Sequence, residues 1–232
     1  VAEDRPVQAE PHWLRQPAPA EARPPRPLAP SAAVEDDVPY PPPTPAMRDA
    51  AERGRWLHRL FERLADVPSE SRRPRADSWL AQQGLGDPAR RHDVIEQALG
   101  VIENPQFSAL FGCDALAEAP IAAVVGEAVI AGTVDRLLIG DDLIQLVDFK
   151  TGRMSPLSVA EAPLAHVRQM AAYAAALQVI FPGRRVEAAL LYTAAPRLIT
   201  LPPELLAHHK PGFSRAQENL PLPPVETDAH PS

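Results

Sequence analysis

The sequence predicts an α/β domain, a central mixed sheet flanked by helices, and three observations carry that expectation. Residues 46 to about 111 follow a helical period. Residues 116–150 break into short runs rich in β-branched and aliphatic residues, separated by the turn signals VGE and GDD. An Ala-rich helical stretch, roughly 158–181, then leads into the apolar run RVEAALLYT, which reads as a further, buried strand.

Taken in order, residues 1–45 hold the runs RQPAPAEARPPRPLAP and VPYPPPTP. These can form polyproline II but cannot sustain a helix or an inner strand. The chain has 29 prolines, most of them before residue 46 or after residue 195. Residues 1–45 therefore read as an extended linker, with Trp13 a candidate for docking on a neighbouring surface. From Ala46 to about residue 66 the pattern is helical: Leu57, Leu60, Phe61 and Leu64 fall at i, i+3, i+4, i+7 on one core-facing stripe. His58 lies beside that stripe, and Gly54, one turn earlier, leaves room for a close backbone approach. Two more helices are expected between about 76 and 111, broken at GLGDP. LAEAPIAAVV, EAVIAGTVDRLLI and LIQLVDFK then read as a three-stranded antiparallel meander. The domain is expected to span 46–201, with 202–232 a tail of little order.

Composition sets limits on function. A formal charge of -7 argues against a protein that grips nucleic acid mainly through a basic surface. The single cysteine, Cys113, cannot by itself build a disulfide, a cysteine-ligated zinc site or an iron–sulfur cluster. No run of eighteen apolar residues exists and the start is acidic and proline-rich, so a soluble protein in a reducing, cytoplasmic setting is expected, with no membrane partner. A first residue of Val, inside apparent linker, fits a piece of a longer polypeptide.

The chemistry concentrates in GTVDRLLIGDDLIQLVDFKTG. Side chains two apart on a strand share a face, so Asp148 and Lys150 project together while Phe149 points the other way, into the core. Asp135 lies on the preceding strand. If the loop GDDL has four residues, Ile139 pairs with Ile144 and Asp135 falls opposite Asp148; a two-residue loop also keeps the two on one face, and a three-residue loop needs a bulge to do so. Like charges across a ladder destabilise a sheet unless a cation sits between them. Oxygen ligands select a hard ion, Mg²⁺ with Mn²⁺ able to replace it. Such an ion activates water and stabilises charge at a phosphate, and Lys150 would assist the attacking water. An isolated Asp-x-Lys on a strand is more often a solvated face, but here the flanks are apolar.

Gly-x-[Val/Ile]-Asp, a short hairpin and then Asp-[Phe/Tyr]-Lys-Thr-Gly resembles the RecB-type branch of the PD-(D/E)xK nuclease superfamily. The resemblance implies a restriction-endonuclease-like fold. It also implies that His58, in a Gly-x-x-x-His helix with Gly54, is a metal ligand with Asp135, Asp148 and the Phe149 carbonyl. Glu118 matches the family's acidic residue on the strand before Asp135 and would support or join the metal shell; Glu127, in the VGE turn, is its rival. Gln169 and Tyr173 match Gln-x-x-x-Tyr and are implied to reach DNA by hydrogen bonding and stacking. The proline-rich connector is similar to the segment preceding this nuclease in AddA-type helicase–nuclease subunits. That implies a magnesium-dependent exonuclease cutting single-stranded DNA in double-strand-break repair and recombination. It also implies a helicase upstream in the same polypeptide, an AddB-type partner subunit and no iron–sulfur cluster.

The rival reading is a catalytically silent domain of the same fold that docks DNA or a partner, against which the intact acidic residues and Lys150 argue. Three further features are set aside: His208 and His209 as a solvated tail, Arg72, Arg73 and Arg75 as a solvated loop, and Asp141 and Asp142 as turn residues.

Overall fold

The computed structural model describes residues 29–30 and 42–211; the expected docking of Trp13 lies outside them. The first helix, α1 (Pro45–Leu64), starts where Thr44 turns its side-chain oxygen to the amide of Met47 and Pro45 fills the first helical position,. Its stripe of Leu57, Leu60, Phe61 and Leu64 is buried. Next come α2 (Ser69–Gln82) and α3 (Pro88–Ile102), the latter capped by Asp87 on the amide of Ala89. A 3₁₀ segment, Pro105–Phe111, follows. Helix α2 begins earlier than the sequence reading has it, with Pro74 inside it. The run Arg72, Arg73, Arg75 is thus helical, correcting the expected solvated loop. Arg72 reaches the Val67 carbonyl and Glu103, and Arg73 pairs with Glu96.

Strands β1 (Ala115–Val125), β2 (Ala128–Ile139) and β3 (Leu143–Lys150) form the expected antiparallel meander. After it, α4 (Leu164–Ile180) carries the chain over one face of the sheet so that β4 (Arg185–Tyr192) runs parallel to β3, as a crossover connection requires. The sequence reading passed over β5 (Arg197–Leu201), which pairs antiparallel with β4. It also placed α5 (Pro203–His208) in a tail of little order, whereas Leu206 of that helix is buried against the core. The sheet order is β1-β2-β3-β4-β5, so the fold is mixed and three-layered. Helix α4 covers one face over Ile130, Val134, Ile144, Leu146, Ala188 and Leu190. Helices α1 to α3 cover the other, over Val147, Phe149, Ala189 and Leu191.

Candidate active site

The β2–β3 register is the one that a four-residue loop dictates: Ile139 pairs with Ile144 and Arg136 with Val147. One step further, Asp135 would face Asp148 across the ladder, and there regular pairing ends. Between β1 and β2 the ladder also skips a rung, since Ala117 pairs with Arg136 and Ala119 with Val134 while Glu118 and Asp135 stay unpaired. Glu118 has φ 48°, the sole left-handed non-glycine among the described residues, a conformation that costs an L-residue about 1 kcal/mol or more. The alternation of β2 slips at the same place. Val134 and Leu137 both face the α4 core, while Arg136 turns toward α1 and donates to the carbonyl of Phe61. This irregularity acts as a paired bulge and re-aims two carboxylates that a regular ladder would have set directly opposite each other on one face,.

The re-aimed groups meet α1. His58 Nδ1 lies 3.0 Å from Asp135 Oδ1, and the other oxygen of Asp135 accepts the amide of Phe149. One ligand atom each from His58, Glu118 and Asp135 lies within 4.8 Å of the others, an arrangement that could hold a metal ion. They line a cleft of about 450 Å³ with Ala50, Ala51, Gly54, Arg55, Arg59 and Thr151. Gly54 leaves room there, since a Cβ would come 2.9 Å from Thr151 Oγ1 and the threonine side chain would have to shift. The close approach expected at this glycine is where α1 meets the exit of β3.

Asp148 stands outside that three-residue group. Its Oδ2 pairs with Lys150 Nζ at 2.8 Å and its Oδ1 accepts from Gln169 Nε2 at 2.8 Å. Gln169 also accepts from Lys150 Nζ at 2.6 Å, so one amide on α4 clamps both members of the Asp-x-Lys pair. The two opposed aspartates are thus relieved separately, Asp135 by His58 and a backbone amide, Asp148 by Lys150 and Gln169. Phe149 points away into the α1 side, edge-on to Phe61 and stacked with Phe111.

The charges are strongly coupled. Burial alone would depress the His58 imidazolium, but the hydrogen bond to Asp135 and the charges of Asp135, Asp148 and Glu118 outweigh it and raise its pKa. Burial pushes the Glu118 carboxyl up, and the charge of Asp135 adds to this. Asp148, fully enclosed, is also pushed up by burial, with Lys150 opposing and Asp135 adding to the rise. A divalent cation would relieve this repulsion, and one imidazole nitrogen with two carboxylates is a donor set that could hold one,.

The placement of Tyr173 corrects one expectation. Its ring is 1% exposed, within the core under α4. Gly132 sits directly over it, where a Cβ would lie 2.7 Å from the phenolic oxygen. A ring so enclosed presents no face to a base. Gln169, 8% exposed, bonds both Asp148 and Lys150. Glu127 occupies the exposed β1–β2 turn, and Asp141 and Asp142 the β2–β3 turn. His208 and His209 close α5 with their rings edge to face, and the expected solvated tail is therefore a helix end.

Sequence reasoning missed several neighbours of the site. Tyr192 pairs with Lys150 across the parallel ladder and meets His166 Nδ1 at 3.1 Å. Burial first, and then the charge of Lys150, lower the pKa of His166 to about 4. A chain from Arg53 through Gln97 to Thr193 ends on the Lys150 carbonyl. Only the three-residue spacing of His166 before Gln169 hinted at any of these.

A five-stranded mixed sheet between helical layers, with acidic residues at a break in the meander and an Asp-x-Lys strand beside it, is a restriction-endonuclease-like fold. The chain belongs to the PD-(D/E)XK nuclease superfamily, whose family model matches residues 33–221. Among solved structures, the crystal structure of SSO0001 is similar at 18% identity, with 70% of this chain and 84% of that chain covered and a TM-score of 0.31. No curated protein matches the sequence.

Proposed function

We propose that this domain is a divalent-metal-dependent deoxyribonuclease that hydrolyses phosphodiester bonds of single-stranded DNA. The observation that carries the reading is the meeting of His58, Glu118 and Asp135 in one cleft, with the Asp148–Lys150 ion pair on the adjoining strand. His58, Glu118 and Asp135 would hold Mg²⁺ or Mn²⁺, with Asp148 and the Phe149 carbonyl available to complete the shell. A bound ion of this kind supplies Lewis acidity toward a phosphate oxygen and lowers the pKa of water.

The chain's own residues do the rest. Lys150, held between Asp148 and Gln169, presents a fixed positive charge where negative charge develops on the attacked phosphate. Gln169 keeps the ammonium and the carboxylate in register, so neither must reorganise as the reaction proceeds. Arg55 and Arg59 on the cleft wall offer contacts to a phosphate backbone that carry no sequence preference.

The net acidity is compatible with this activity if the strand is delivered rather than captured. That supports, as the finer reading, an exonuclease domain of an AddA-type helicase–nuclease in double-strand-break repair and recombination, with a helicase upstream and an AddB-type partner. The domain proper would run from the start of α1 at Pro45 to the end of α5 at His208. The test is cleavage of labelled single-stranded DNA with Mg²⁺ by wild type, Asp148→Ala and Lys150→Ala. Both variants should lose activity by orders of magnitude, and wild-type rates in both would refute the assignment.

A further inference from the structure

Arg136 is 2% exposed, yet among the described residues it forms no ion pair. Its Nη2 donates to the Phe61 carbonyl at 2.6 Å, its Nε has no partner, and the rings of Phe111 and Phe149 lie 5.1 and 5.9 Å from the guanidinium carbon. A buried, unpaired cation is costly unless something offsets it. Packing does not require one here, since a long apolar side chain would fill the same space between three phenylalanines. The slip in alternation at Asp135 is what turns Arg136 to this side. It places the guanidinium next in sequence to one metal-centre carboxylate, across the ladder from the neighbour of the other, and against the helix turn that follows His58.

We propose that Arg136 is the resident counter-charge of the metal centre, a positioning residue that holds Asp135 and Glu118 together before an ion arrives. The inference rests on the metal-centre reading above. Its charge offsets the mutual repulsion of the two carboxylates, which are its main favourable electrostatic partners. Its bond to Phe61 fixes the end of α1 so that His58 meets Asp135. The same charge opposes an incoming cation. The site is therefore preassembled but holds its ion less tightly than its ligands alone would.

The test is isothermal titration of Mn²⁺ into the 232-residue chain as wild type, Arg136→Met, Arg136→Gln and Arg136→Lys, with circular dichroism to confirm folding. Removing one unit charge several ångströms from a divalent ion changes binding by roughly tenfold in a partly hydrated site. Arg136→Met and Arg136→Gln should therefore bind Mn²⁺ about tenfold more tightly than wild type, and Arg136→Lys, which keeps the charge, should bind as wild type does. Arg136→Gln, a second neutral variant of different shape and polarity, reads the charge effect if Arg136→Met fails to fold. Unchanged or weaker binding in the folded neutral variants would overturn the counter-charge. Absence of Mn²⁺ binding in wild type would overturn the metal centre together with it.

Discussion

Replacing Gly132 by alanine tests the packing that aligns the site. The new Cβ would lie 2.7 Å from the Tyr173 hydroxyl oxygen, 3.0 Å from Cε1 and 3.2 Å from Cζ. All three are closer than ordinary contact, and the ring cannot swing away because it is 1% exposed. The clash must be absorbed by moving β2 or α4. Overpacking of this kind costs about 1–3 kcal/mol. For a domain of this size each kcal/mol is worth roughly 2–4 °C in Tm, so the expected loss is about 2–12 °C. Scanning calorimetry or thermal circular dichroism measures it. Tyr173→Phe in the same chain removes the nearest atom but leaves the ring carbons, and so should restore only part of the loss. Tyr173→Leu should restore most of it, giving a coupling of about 1 kcal/mol or more in a double-mutant cycle. Because β2 carries Asp135 three residues on, DNA cleavage should fall in Gly132→Ala. A Tm within 1 °C of wild type, about the shift of a neutral substitution, or purely additive effects would refute the contact and with it the enclosed placement of Tyr173.

Gln169→Leu should lower kcat by about ten- to a hundredfold with little change in KM, because it frees the Asp148–Lys150 pair without removing it; steady-state kinetics on a short oligonucleotide check this. Glu118→Gly should stabilise the metal-free domain by up to about 1 kcal/mol, by relieving a left-handed residue and one like charge, while weakening Mn²⁺ binding. Calorimetry with and without the ion separates the two effects. The stability of the metal-free domain should fall as pH rises. Glu118, Asp148 and His58 all have folded pKa values above their ordinary ones. What each contributes is therefore fully present below its unfolded pKa and lost as pH climbs through the folded value, first for the carboxylates from about pH 4 and then for His58 above about pH 6.5. Mn²⁺ should raise Tm more at pH 8 than at pH 5.5, and His58→Gln should flatten the upper part of the profile. A metal-free Tm that rises across that range, relative to His58→Gln, would contradict the sign.

The sequence by itself determined the elements whose cause is local or periodic. The stripe on α1, the antiparallel meander and the parity placing Asp148 with Lys150 all follow from side-chain spacing along one segment. The register between β2 and β3 stayed open in the sequence among loops of different length, and the structure selects the four-residue turn, with Ile139 opposite Ile144. What the sequence could not carry was the break in that regularity. Nothing in AEAPIAAVV announces that Glu118 adopts φ 48°, since the skipped rung exists only where β1 and β2 pair on either side of it. That one irregular rung turns Asp135 and Glu118 toward His58, 77 positions before Asp135, and leaves Arg136 on the same α1 side, against Phe61. Burial decided the rest. The family pattern marks Gln169 and Tyr173 as significant, but only the packing of α4 on the sheet shows one clamping the Asp-x-Lys pair and the other filling the space that Gly132 leaves. Such roles depend on which surfaces face each other, and a single segment's period does not encode that.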